Sequence, residues 1–229
     1  MSEFDSKLEE LHEELAIQGE RVLALALDAV DSFFDHSTEK ARAVILGDEL
    51  IDQVDVKIER ASIPLLSLGQ TDPYSIRSVL TIVKVNNDLE RIADCAVNIA
   101  ESVPEDEMAR NVVMPQTFRV MANSVIGMIR DANRSLKDRN PELARQVLLF
   151  DDTVDRFKRE ILLDAQSKIA SGTFTVEFAF NLLMVTKSLE RIADHSTNVC
   201  EQVIYLETGR TVRHDPEGWS EPFDPKVTE

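Results

Sequence analysis

The sequence writes one acidic phrase twice. Residues 88–101 read DLERIADCAVNIAE and residues 188–201 read SLERIADHSTNVCE, so Glu90 with Asp94 and Glu190 with Asp194 form matched pairs. Two more pairs share the i, i+4 spacing: Asp48 with Asp52 in GDELIDQVDVKIE (47–59), and Asp151 with Asp155 in FDDTVDRFKREI (150–161). On a helix such residues are neighbours, with Cβ atoms about 5–6 Å apart, and like charges cost roughly 0.2–0.5 kcal/mol per pair. A bland solvated face would mix Glu with Lys at this spacing. Four like-charged pairs at matched points of a repeat point to something positive between them. Carboxylate oxygens suit hard cations such as magnesium, calcium, manganese or iron, whereas zinc more often draws His or Cys.

These carboxylates need helices to position them. Apolar residues recur at three-and-four spacing in six segments, about 5–36, 38–68, 72–103, 112–138, 140–172 and 174–208. Asp72-Pro73 and Asn140-Pro141 read as a cap followed by Pro at the first helical position. Pro64 removes a hydrogen bond and is expected to bend the second segment, Gly69 can cap its end, and Gly209 stops the sixth. In the third helix Ile82, Val85, Leu89, Ile92, Ala96, Ile99 and Val103 form a heptad seam; Leu182, Val185, Leu189, Ile192, Ser196, Val199 and Val203 repeat it in the sixth. The acids lie off that seam, on a second, outward stripe.

No segment alternates with period two, so the fold is predicted to be all-α. It consists of two tandem three-helix bundles: residues 1–104, residues 105–210, and an extended or disordered tail over 211–229.

The formal net charge of −17 favours solubility and disfavours nucleic acid and anionic membrane surfaces. Neither VLALALDAV (22–30) nor FAFNLLMV (178–185) is long enough to span a bilayer, and the polar N-terminus shows no secretory signal. Cys95 and Cys200 occupy non-equivalent positions and read as small buried helix residues of a cytoplasmic protein. His195 stands where the first copy has Cys95 and reads as a surface histidine, with a metal ligand as the alternative. Arg91 and Arg191 could brace the acids by charge-assisted hydrogen bonds or form ordinary surface pairs.

Two three-helix units, each with D-x-x-x-D on its second helix and LERIAD-x-x-x-N-x-x-E on its third, resemble the PhoU family of phosphate transport accessory regulators. The resemblance runs over residues 5–214, including GRTVRH (209–214). Ala93 and Ala193 stand where the family often has Gly. The resemblance implies a cytoplasmic, non-enzymatic, often dimeric protein. It would act with the phosphate ABC transporter ATPase and a phosphate sensor histidine kinase, repressing the starvation response when phosphate is plentiful. It also implies metal ions at Asp48, Asp52, Glu90, Asp94, Asp151, Asp155, Glu190 and Asp194. Iron, manganese, magnesium, calcium or zinc would serve, singly or as a multinuclear cluster. A carboxylate-bridged di-iron enzyme is the alternative class, but such enzymes use inward-facing Glu and Glu-x-x-His, which the repeated sites lack. No nucleophile–base pair or Gly-rich phosphate loop marks a catalytic residue. A metal-free structural adaptor is the third reading.

Overall fold

A computed structural model describes residues 2–68, 72–104 and 113–212. It contains six helices: α1 (Glu3–Phe34), α2 (Thr38–Ser67), α3 (Pro73–Glu101), α4 (Gln116–Lys137), α5 (Pro141–Ala170) and α6 (Val176–Thr208). Most begin where a short polar side chain can take an orphan backbone N–H. Ser2 forms a capping box with Asp5, and Ser37, Asp72 and Thr175 accept from the backbone of Lys40, Ser75 and Phe178. Asn140 accepts from both Glu142 and Leu143. Pro73 and Pro141 follow their caps, where no N–H is needed. α6 stops at Gly209, whose φ of +72° is the left-handed conformation that only a residue without Cβ adopts freely. α4 starts later than its apolar pattern predicts because Pro115 occupies the cap and favours extended backbone before it. α2 continues through Pro64 to Ser67. The expectations for Gly69, for the acidic link EDE (105–107) and for the tail beyond residue 212 fall outside the described residues.

The repeat reaches further than the acidic phrases. The α1–α2 and α4–α5 corners turn through His36 (φ 50°) and Arg139 (φ 49°), matched positions of the two halves. Ser32 Oγ bonds Ala29 O at 2.7 Å, and Ser135 Oγ bonds Ala132 O at 2.8 Å. The chain then closes by Ser37 N to Ser32 O at 2.9 Å and by Asn140 N to Ser135 O at 2.8 Å.

Helices α1, α2 and α3 pack on one another, as do α4, α5 and α6; the halves meet along α3–α6 and α1–α4. Both heptad seams are buried, and one continuous apolar cluster runs through the two bundles. Each fully buried Leu, Ile or Val stabilises the fold by roughly 1.5–3 kcal/mol. Because α3 and α6 each have three helical neighbours, they bury polar residues beyond the seam, among them Thr81, Asp88, Thr186 and Ser188. Where α1 meets α4, Asn133 Nδ2 donates to Gly19 O at 2.6 Å. The missing side chain makes that approach possible, since a Cβ on Gly19 would lie 2.7 Å from Asn133 Oδ1. No helix among the described residues is long and apolar enough to cross a membrane.

Candidate functional site: two carboxylate faces and the joint between them

In the first half α2 and α3 bring Asp48, Asp52, Glu90 and Asp94 into one another's electrostatic field. Burial, then the charges of Asp52 and Asp94, push the Asp48 carboxyl up from its ordinary value. Glu90 is raised by burial and then by Asp94, against an opposing pull from Arg91. One buried oxygen of Asp48, Oδ1, has no hydrogen-bond partner. A fifth acid joins the group: Asp55, also raised chiefly by burial, accepts from Asn86 Nδ2 at 2.5 Å. Arg91 braces the cluster, with Nε 3.2 Å from Glu90 and Nη1 3.0 Å from Asp94.

The second half repeats the arrangement with one change. Burial, then Asp194, Asp155, Asp152 and Glu190, raise Asp151 to about 6. Asp194 is likewise raised, by burial and then Glu190, with His195 and Lys158 opposing. Here the ammonium of Lys158 sits directly on the Glu190 carboxylate. Lys158 matches Asp55 of the first half, one turn beyond the D-x-x-x-D pair in each repeat. Attention to the carboxylates alone hides this exchange, although laying GDELIDQVD against FDDTVDRFK displays it.

All eight sequence-predicted acids are thus gathered into two groups of four on outward helix faces, with Asp48, Glu90, Asp94, Asp151 and Glu190 partly sunk into them and Asp52, Asp155 and Asp194 exposed. Among the described residues, however, no three His, Cys, Asp or Glu side chains converge closely enough to hold an ion. The donor chemistry fits a hard cation, and the orphaned Asp48 oxygen leaves acceptor capacity unused. Binding would require the carboxylates to swing inward by side-chain rotation.

His195 departs from expectation. Its side chain is only 19% exposed: it lies at the α3–α6 joint, with Nδ1 2.9 Å from Asp88 Oδ1. Asn198 Nδ2 donates to the same oxygen at 3.0 Å. A buried carboxylate on α3 needs such donors, because an unpaired charge there would be costly. Cys95 and Cys200 are both buried free thiols, as expected; burial pushes the Cys200 thiol up to about 12.

The family described as PhoU domain matches this chain twice, over residues 15–103 and 118–203. The chain belongs to the PhoU family. Its PhoU relatives include the phosphate-specific transport system accessory protein PhoU homolog of Clostridium acetobutylicum, 33% identical over 91% of this chain and 96% of that protein. PhoU homolog 1 of Thermotoga maritima is 30% identical over 81% of each chain. Among solved structures, the phosphate transport system regulatory protein PhoU from Streptococcus pneumoniae superposes with a TM-score of 0.84 at 26% identity, covering 92% of this chain and 99% of that one. PhoU from Pseudomonas aeruginosa gives 0.84 at 28% identity, covering 90% and 100%. Both PhoU matches contain one carboxylate face, and the Asp88–His195 contact joins the α3 of one to the α6 of the other.

Proposed function

We propose that this chain is a non-enzymatic, cytoplasmic regulator of phosphate uptake and of phosphate-starvation signalling. Its proposed partners are the phosphate ABC transporter ATPase and a phosphate sensor histidine kinase. The observation that carries the reading is the twice-repeated carboxylate face in a chain whose relatives are named phosphate transport accessory proteins. Asp48, Asp52, Glu90 and Asp94 would hold cations on the first face, and Asp151, Asp155, Glu190 and Asp194 on the second. A bound hard cation supplies positive charge that relieves the repulsion among these groups. The chain's own part is to hold the carboxylates on rigid helices, five of them partly buried, where an unneutralised charge is disfavoured. Arg91 on the first face and Lys158 on the second offset part of that repulsion. A di-iron enzyme is disfavoured because the acids lie on outward faces, with Asp52, Asp155 and Asp194 exposed, and not in a closed bundle core.

The test is complementation. Deleting the gene should switch on phosphate-scavenging genes in phosphate-rich medium, and the wild-type gene should restore repression. A gene carrying Glu90, Asp94, Glu190 and Asp194 all changed to Ala should not. Normal repression in the deletion strain would remove the regulatory role; full rescue by the fourfold variant would remove the carboxylates from it.

A further inference from the structure

The two outward faces carry the same helical line of residues with different charges. On α3 the line runs Ile76, Leu80, Val83, Asn87, Glu90, Asp94; on α6 it runs Val176, Phe180, Leu183, Lys187, Glu190, Asp194. Each step is three or four residues, so each line follows one side of its helix. The neighbouring line on α2 is Asp48, Asp52, Asp55, Glu59, Ile63, Leu66, and α5 answers with Asp151, Asp155, Lys158, Leu162, Gln166 and Ile169. Both faces therefore have an acidic end and an apolar end. The apolar end of the first is open: Ile63 is 63% exposed, Leu66 57% and Leu80 42%.

The second face brings its own cations. Lys158 lies on Glu190, and Lys187 sits exposed on the α6 line. At the matched points the first face has Asp55 and Asn87. An ammonium thus fits among these carboxylates in one half, and the other half has an acid in the place of the side chain that provides it. Arg91 pairs with Glu90 and Asp94 on the first face, but among the described residues no ion pair reaches Asp48, Asp52 or Asp55, so a cation beside Asp55 has to come from outside the chain.

We infer that the α2–α3 face docks an amphipathic helix of a partner protein. That helix places apolar side chains at i, i+4 and i+7 on Ile76, Leu80 and Val83, and Lys or Arg about a turn further on beside Asp55, which lies against Asn86. The line from Ile76 to Asp94 spans about 27 Å, the length of a helix of about 18 residues. The basic end sets register and partner choice, and the apolar end supplies the area buried. This inference rests on the reading that the chain works through a protein partner, and it names the chemistry of the contact. Lys158 and Lys187 keep the α5–α6 face from accepting the same helix, so one helix binds per chain.

The probe is a synthetic helical peptide of about 18 residues with a Leu stripe at one end and Lys at the other, titrated into the full chain by calorimetry. A charge-matched peptide lacking the Leu stripe is the control. The wild type should bind one stripe peptide per chain. Asp55→Lys, which installs the second half's cation, should weaken binding about tenfold or more, and so should Leu80→Ser on the exposed stripe. Glu160→Lys changes net charge equally on α5 and should leave affinity within about twofold. Lys158→Asp with Lys187→Asn should raise the stoichiometry to two. The inference falls if Asp55→Lys binds like the wild type, if the peptide without Leu binds equally, or if the wild type takes two peptides. It also falls if Leu80→Ser converts a dimer to a monomer while Asp55→Lys has no effect, since the stripe then belongs to a second copy. Failure here leaves the complementation result standing, so the two readings can fail separately.

Discussion

Replacing Asp151 by Asn removes one charge from the second face and keeps the side chain's shape. In the folded chain burial and four neighbouring acids raise this carboxyl from 3.8 to about 6. An acid whose folded value lies above its unfolded value is disfavoured as an anion by folding. Its destabilising effect is complete above about pH 6, fades as pH falls through the folded value, and is gone below 3.8. The gap between those values corresponds to about 3 kcal/mol without screening. The side chain is only partly buried, and screening brings the expected effect to about 1 kcal/mol. Asp151→Asn should therefore raise Tm by about 2–4 °C near pH 7.5 and change it little near pH 4, both read by calorimetry at low salt without divalent ions. Millimolar Mn²⁺ should stabilise the wild type more than the variant and shrink the variant's advantage. If Asp151→Asn is no more stable than wild type at about pH 7.5, or equally more stable at both pH values, mutual repulsion is not what the cluster stores.

Gly19→Ala gains about 1 kcal/mol of helix propensity, yet its Cβ would press on Asn133 at 2.7 Å and break the bond to Gly19 O. Losing that bond and stranding a buried amide costs more, so the variant should be less stable by about 1–2 kcal/mol in urea unfolding. In an Asn133→Ala background the same change should become favourable. Cys95 and Cys200 should both resist an aromatic disulfide reagent near pH 8 until denaturant is added, because both thiols are buried and burial raises both. Elemental analysis of purified protein should find metal in the wild type and none after Glu90, Asp94, Glu190 and Asp194 are changed to Ala; unchanged metal would place the ions elsewhere.

What the sequence made legible followed from periodicity and repetition. The seam residues Leu89 and Leu189, the caps Asp72 and Asn140 and the stop at Gly209 depend on neighbours within a few positions, and local chemistry decided them. The pairing of the acids was legible for the same reason, since i and i+4 share a helix face. The joint between the halves was not. Asp88 reads as one more acid of an acidic helix and His195 as one more exposed histidine, and only the crossing of α3 with α6 puts them 2.9 Å apart. Gly19 carries no sequence signal of its role either, because the residue that needs its missing side chain, Asn133, lies on α4 of the other half. The meaning of Lys158 appears only beside Asp55, its mate in the other half.

The joint itself has a symmetry that invites a transplant. α3 and α6 run antiparallel: Arg77 lies near Gly209, Lys84 over Tyr205 and Asp88 against His195. Two antiparallel copies of one helix meet about a two-fold axis, so each contact has a matched place a hundred residues along. The mate of Asp88 is Ser188, the mate of His195 is Cys95, and the mate of Asn198 is Asn98. Only one of the two places therefore carries the charged network; the other holds a small hydroxyl and a thiol. If the network stabilises the joint through its own bonds, and not through its particular side, it should work equally from the other place. Exchanging all four residues (Asp88→Ser, His195→Cys, Ser188→Asp, Cys95→His) should leave unfolding in urea within about 1 kcal/mol of wild type. Exchanging only Asp88→Ser and Ser188→Asp strands His195 without its acceptor and buries an acid opposite Cys95, at a cost of about 2–4 kcal/mol. A fourfold variant as unstable as the twofold one would show that the surroundings of Asp88, and not the contact it makes, hold the two carboxylate faces together.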